Sequence, residues 1–209
     1  MAKNKAIKGK NVKSNIMGNK DIAKNDNVEK IRSSNLKLLV FSAMFAALTA
    51  AVAPFKIPLG FTPVPITLQT LVVLMSGAML GPYYGALAMI LYVVVGALGL
   101  PVFAGGGSGI GALLGPTGGY LISYFIAAFV IGKVVQMRKQ PKYIDYAIAM
   151  AAGTIIIYTL GAGWGMAVTG LGLAAIIVGW VLPFIIGDTI KLLIAAYIAK
   201  SIDVKKYLK

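Results

Sequence analysis

From Leu38 to Ala199 the chain runs for 162 residues with only eight charged side chains: Lys56, Lys133, Arg138, Lys139, Lys142, Asp145, Asp188 and Lys191. A water-soluble domain carries about 25% charged residues. This chain of 209 residues has 12% and a mean hydropathy of +0.83. Lipid offers the backbone no water to hydrogen-bond, so a stretch of this kind must satisfy its own N–H and C=O groups. It reads as an all-α integral membrane protein.

Composition removes several chemistries. Without Cys there is no disulfide, thiolate nucleophile or Cys-ligated metal, and without His the commonest acid–base group and metal ligand is missing. The formal charge of +14 does not argue for nucleic acid. Half of it comes from residues 1–37, which hold ten Lys/Arg and three acids. Most of the remainder flanks apolar stretches, as membrane topology alone requires.

A crossing helix needs roughly 20 apolar residues, so six would use about 120 of the 162. Prolines punctuate the apolar runs, and the expected spans are 37–54, 66–80, 83–100, 117–136, 143–163 and 173–200. Six spans put the N-terminal tail, the Lys133–Lys142 connection and the C-terminal lysines on one side. The positive-inside rule makes that side cytoplasmic for both termini. Residues 1–36 form a basic tail expected to be disordered, with anionic membrane lipid as a surface within its reach, and 201–209 a short cytoplasmic end.

The outer loops are unusual. Residues 54–70 contain four prolines yet are mostly apolar, and residues 101–119 contain eight glycines. Irregular backbone at membrane depth must be buried in protein or line a cavity. The two loops therefore read as lid and floor of a small-molecule pocket on the outer side, with Phe103, Gly106, Gly107 and Ser108 as floor residues. The stretch Gly107-Ser-Gly-Ile-Gly-Ala112 matches a loose dinucleotide fingerprint but lacks the preceding strand and following acid, and no Walker-type Gly-Lys-Ser/Thr occurs.

Asp188 and Lys191 are the two ionisable residues in the middle of a span. Three residues apart, they share one helical face. If Trp180 marks the outer interface, Asp188 lies about 12 Å deeper. A lone charge there costs about 2.5–3.5 kcal/mol, which a mutual pair reduces, and such residues are functional candidates. Pro183 can release the Gly179 carbonyl nearby. Asp188 accepts and Lys191 donates, which suits a ligand with urea-type N–H groups and an acceptor or anionic group. Thr67, Gln69, Tyr92 and Tyr120 can add neutral contacts. On the first span Ala43, Ala47 and Ala51 repeat at four-residue spacing, which lets another helix approach, internal or from another subunit. The pairs among Gly77, Gly81 and Gly85, and Gly161 with Gly165, fit internal contacts better.

Several strings resemble one family: Ala43-x-x-x-Ala47, Pro63-Val-Pro-Ile-Thr-Leu-Gln-Thr70, Leu100-Pro-Val-Phe-Ala-Gly-Gly-Gly-Ser-Gly109, Leu114-Gly-Pro-Thr-Gly-Gly-Tyr120 and Gly187-Asp-x-x-Lys191. In order and spacing, from about Leu36 to Ala199, the chain is similar to BioY, the biotin-specific S component of energy-coupling factor (ECF) transporters. The resemblance implies a six-helix, non-enzymatic plasma-membrane protein without a cofactor, with biotin as the transported ligand. It implies an outward-facing site capped by the first loop, to which Asp188 and Lys191 contribute. One division gives Asp188 the ureido N–H groups and Lys191 the carboxylate or the ureido oxygen; the resemblance leaves the pairing open. The alanine face would dock on a transmembrane coupling subunit driven by two ATP-binding cassette ATPases. The segment 102–109 has no side-chain amide, so a ureido contact there would come from backbone or Ser108.

Three other readings compete. The closest is an S component for another vitamin, such as thiamine or riboflavin, against which the loop strings favour biotin. An intramembrane aspartyl hydrolase would pair Asp145 with Asp188, but these sit at different depths. A solitary channel would show rings of polar residues along several helices.

Overall fold

The computed structural model describes residue 29 and residues 32–202. The expectations for residues 1–28, 30 and 31, and for 203–209 with Lys205, Lys206 and Lys209, lie outside the described residues. Helix α1, Arg32–Val52, begins five residues before the expected span. A two-stranded antiparallel ribbon follows, β1 Lys56–Ile57 with β2 Ile66–Thr67. Then come α2 Gln69–Leu80, α3 Pro82–Ala97, a 3-10 turn at Ala104–Gly106 and the short α4, Ile110–Leu114. The chain continues as α5 Gly118–Gln136, α6 Tyr143–Thr169, α7 Leu173–Trp180 and α8 Leu182–Ser201.

Four of these helices, α1, α5, α6 and α8, are long and apolar enough to cross a membrane. The others are not, and the reasons are local. The expected span 66–80 loses its first residues to β2, whose Thr67 pairs with Lys56 and Ile66 with Ile57, so α2 has 12 residues. Helix α3 has 16. The expected continuous span 173–200 is broken at Val181 (φ −124°, ψ −58°). Pro183 in the first turn of α8 has no N–H to return to α7. Phe184 N bonds Val181 O at 3.0 Å instead, and the carbonyl taken up by a side chain is Trp180's, which accepts the Tyr120 hydroxyl at 2.9 Å. Helix α6 runs six residues beyond its expected end, and the connection after it shrinks to 170–172.

Helix α5 is the most enclosed of the four long helices and packs against α6, α3 and α2. Small residues set these close approaches. A side chain on Gly77 would run into the Ala128 backbone, and one on Gly132 into the turn at Gly81–Pro82. Trp180, the residue considered as an interface marker, is packed inside the protein. It is 2% exposed, its indole lying where a side chain on Gly165 would sit. Two apolar clusters result. One, with Val72, Met89, Tyr124 and Trp180, surrounds the end carrying the ribbon. The other, with Leu74, Ile131, Met150 and Ala196, fills the opposite end.

Candidate functional site

The ribbon end of the bundle encloses a cavity of about 190 Å³. The first loop supplies Val64, Pro65 and Thr67, the glycine loop Phe103, Ala104 and Gly107. Helix α2 supplies Gln69 and Thr70, α5 Tyr120 and Tyr124, α6 Ile157 and Tyr158, and α8 Phe184, Asp188 and Lys191.

Asp188 (7% exposed) and Lys191 form the expected pair, Nζ to Oδ1 at 2.7 Å. Lys191 Nζ also donates to the Thr67 carbonyl at 2.6 Å and to Thr70 Oγ1 at 3.3 Å. All three ammonium hydrogens therefore have acceptors within the protein, tying α8 to the corner between β2 and α2. Asp188 Oδ1 also accepts from the Thr70 hydroxyl at 3.2 Å. Among the described residues Oδ2 accepts only the Tyr158 hydroxyl, at 2.6 Å. A carboxylate oxygen has room for two donors, so Oδ2 keeps one acceptor site. Asp145 takes no part. It caps α6 at Lys142 N (2.8 Å) and pairs with Arg138, thirteen residues before Tyr158 on the same helix, or about 20 Å along it. Asp145 and Asp188 therefore form no two-carboxylate site, and the hydrolase reading built on that pair fails.

The glycine loop is shaped by left-handed backbone at Gly105 (φ 68°) and Gly106 (φ 83°), which suits glycine. Phe103 N bonds Gly107 O at 2.9 Å, closing the turn, and Gly105 N bonds Ala53 O at 3.0 Å, fastening it to the end of α1. Phe103 is 3% exposed and meets the Tyr92 ring edge to face at 5.6 Å. Its ring fills the space a side chain on Gly96 would need.

The expected residues are thus divided. Asp188, Lys191, Thr67, Gln69, Phe103, Gly107 and Tyr120 meet at the cavity. Gly106 and Ser108 are exposed on the loop and do not line it. Tyr92 is 1% exposed and stands behind Gln69, outside the lining. Thr70, Tyr124 and Tyr158 escaped the sequence reading. Thr70 ends the Pro63–Thr70 string at the start of α2, while for Tyr124 and Tyr158 a hydroxyl within an apolar helix was the one available signal. Ala43, Ala47 and Ala51 are exposed on α1, unused by packing within the chain.

A profile of the BioY family matches residues 24–207. The chain belongs to the BioY family. It is 42% identical over 174 residues to the biotin transporter BioY of Thermotoga maritima, covering 82% of this chain and 100% of that protein. It is 40% identical over 161 residues to the probable biotin transporter BioY of Pyrococcus horikoshii, covering 77% and 93%. The crystal structure of the S component for biotin from an ECF-type ABC transporter superposes with a TM-score of 0.74 at 32% identity, covering 80% of this chain and 90% of that one. These BioY relatives align over most of their length, so the match concerns whole proteins.

Proposed function

We propose that this BioY-family chain binds biotin for uptake as the substrate-specific component of an ECF transporter. The observation that carries the reading is the buried Asp188, which lines the cavity beneath the ribbon and whose Oδ2, among the described residues, accepts one hydrogen bond only, from Tyr158. Biotin's ureido group offers N–H donors that a carboxylate accepts strongly. Its bicyclic ring and valeryl chain suit the walls made by Phe103, Leu121, Ile157 and Phe184. Lys191 can reach a ligand oxygen by redirecting the N–H now on Thr70, its longest contact at 3.3 Å. Gly107 supplies backbone, while Gly106 and Ser108 act through the shape of the loop.

In this reading α1, α2, α3, α5, α6 and the α7–α8 pair make six passes through the plasma membrane, with both termini cytoplasmic. The short α2 and α3 cross where the ribbon and glycine loop complete the outer half. The exposed Ala43, Ala47 and Ala51 face docks on a transmembrane coupling subunit, itself driven by two ATP-binding cassette ATPases. The protein is a carrier component, not an enzyme.

Equilibrium biotin binding to the purified chain in detergent tests the reading, with thiamine and riboflavin as competitors. Saturable binding that neither competitor displaces, and that Asp188→Asn weakens at least tenfold, is expected. Displacement by either vitamin, or indifference to Asp188→Asn, overturns it.

A further inference from the structure

Tyr92 was expected to touch the ligand, yet it lies one layer behind the cavity. What it contacts there fixes the polarity of the one amide side chain that does line the site. The Tyr92 hydroxyl donates to the Val102 carbonyl at 3.1 Å. That carbonyl has no hydrogen to give, and the hydroxyl has only one, so towards Gln69 the Tyr92 oxygen can act solely as acceptor. Gln69 accordingly donates its Nε2 to Tyr92. The Gln69 amide could otherwise present either end to a ligand; here its nitrogen is committed to the protein.

The other end is then open. Gln69 is 1% exposed and lines the cavity, and its Oε1 has no partner among the described residues. Among those residues no sealed polar side-chain atom is left without a hydrogen bond. The oxygen must therefore open onto the cavity. The rest of the wall supports this directionality. Tyr92 is clamped between the Phe103 ring, edge to face at 5.6 Å, and the Tyr124 ring, stacked at 6.4 Å, so its phenol oxygen is held beside the Val102 carbonyl to which it donates.

We propose that Tyr92 is a positioning residue that locks Gln69 as an acceptor, and that Gln69 Oε1 reads a second ligand N–H beside the one read by Asp188 Oδ2. The inference rests on the proposed biotin site and deepens it: two acceptors from α2 and α8 select a ligand with two N–H donors on one planar group. It also explains how the site manages without a side-chain amide in the glycine loop, since the amide comes from the start of α2 and takes its orientation from the backbone of that loop.

The test is a double-mutant cycle on biotin affinity with Tyr92→Phe, Gln69→Met and the combined variant, using the full chain in detergent. Alongside it, biotin is compared with its two mono-N-methylated ureido analogues. Gln69→Met is expected to weaken biotin about tenfold and to shrink biotin's advantage over one analogue only, leaving the other, read by Asp188, unchanged. Tyr92→Phe is expected to weaken biotin several-fold in the unaltered background and hardly at all in the Gln69→Met background, because without the amide there is nothing left to orient. A purely structural Tyr92 would cost the same factor in both backgrounds, and that result overturns the positioning role. Should Tyr92→Phe fail to fold, the Gln69→Met analogue comparison still decides whether Oε1 reads an N–H. Equal loss for both analogues, or no loss for biotin, overturns the acceptor role. Absence of biotin binding by the unaltered chain would instead defeat the proposed function itself.

Discussion

Removing Lys191 alone should harm the fold more than removing it together with Asp188. The ammonium makes three hydrogen bonds, to Thr67 O at 2.6 Å, Asp188 Oδ1 at 2.7 Å and Thr70 Oγ1 at 3.3 Å, and both side chains of the ion pair are about nine-tenths buried. Lys191→Met leaves the Asp188 carboxylate with two hydroxyl donors, Thr70 and Tyr158, and no counter-charge. Breaking a buried pair from one side costs about 3–5 kcal/mol. For a chain of this size that corresponds to roughly 6–20 °C in Tm. The double variant Asp188→Leu with Lys191→Met buries no charge. It leaves the Thr67 carbonyl and the Thr70 and Tyr158 hydroxyls short of a partner, about 1–3 kcal/mol each at most, and all three residues line the cavity, where water can take the place of the lost partners. Thermal unfolding in detergent, followed by tryptophan fluorescence, should therefore find the double variant more stable than Lys191→Met, while neither binds biotin. A double variant whose loss equals the two single losses added would refute the pairing argument. So would a Lys191→Met protein melting within about 2 °C of the unaltered chain.

Gly96→Ala puts a methyl group into the Phe103 ring. It should cost about 1–3 kcal/mol and weaken biotin by displacing a cavity wall, which Tm and affinity measured together will report. Tyr120→Phe strips the Trp180 carbonyl of its donor at the α7–α8 break and should lower stability by about 1–3 kcal/mol, checked by the same unfolding assay. The chain has no cysteine, so topology can be mapped with single substitutions. A membrane-impermeant maleimide should label Lys56→Cys on intact cells and Lys139→Cys only after permeabilisation; the reverse pattern contradicts the proposed orientation.

Much of the fold was legible because lipid simplifies the problem. Charge-poor runs separated by prolines located every long helix, and the pairing of Asp188 with Lys191 followed from three-residue spacing in an apolar span. The failures share a cause: they depend on contacts between segments distant in sequence. Thr67 looked helical because it precedes Gln69, but its backbone is claimed by Lys56, eleven residues earlier in the chain. Trp180 looked like an interface marker because tryptophan favours that depth. Gly165, on another helix, leaves a slot that takes the indole instead. Pro183 pointed to a freed Gly179 carbonyl inside one continuous span, whereas the fold breaks at Val181 and the carbonyl that Tyr120 occupies is Trp180's.

The site divides in the same way. Residues next to a recognisable string, such as Gln69, Phe103 and Asp188, were found. Tyr158 was passed over because α6 has no motif around it, and its hydroxyl matters only through a partner thirty residues away. Tyr92 was offered to the ligand as one of four neutral contacts, but its hydroxyl has a partner within the protein. That partner proved to be Gln69 and the Val102 carbonyl.

The most direct measurement is the structure of this protein with biotin bound. The account predicts a ureido nitrogen within about 2.7–3.1 Å of Asp188 Oδ2, beneath the ribbon of Lys56–Ile57 and Ile66–Thr67. Biotin located elsewhere, or a ureido group turned away so that no nitrogen comes within about 4 Å of that carboxylate, would contradict it.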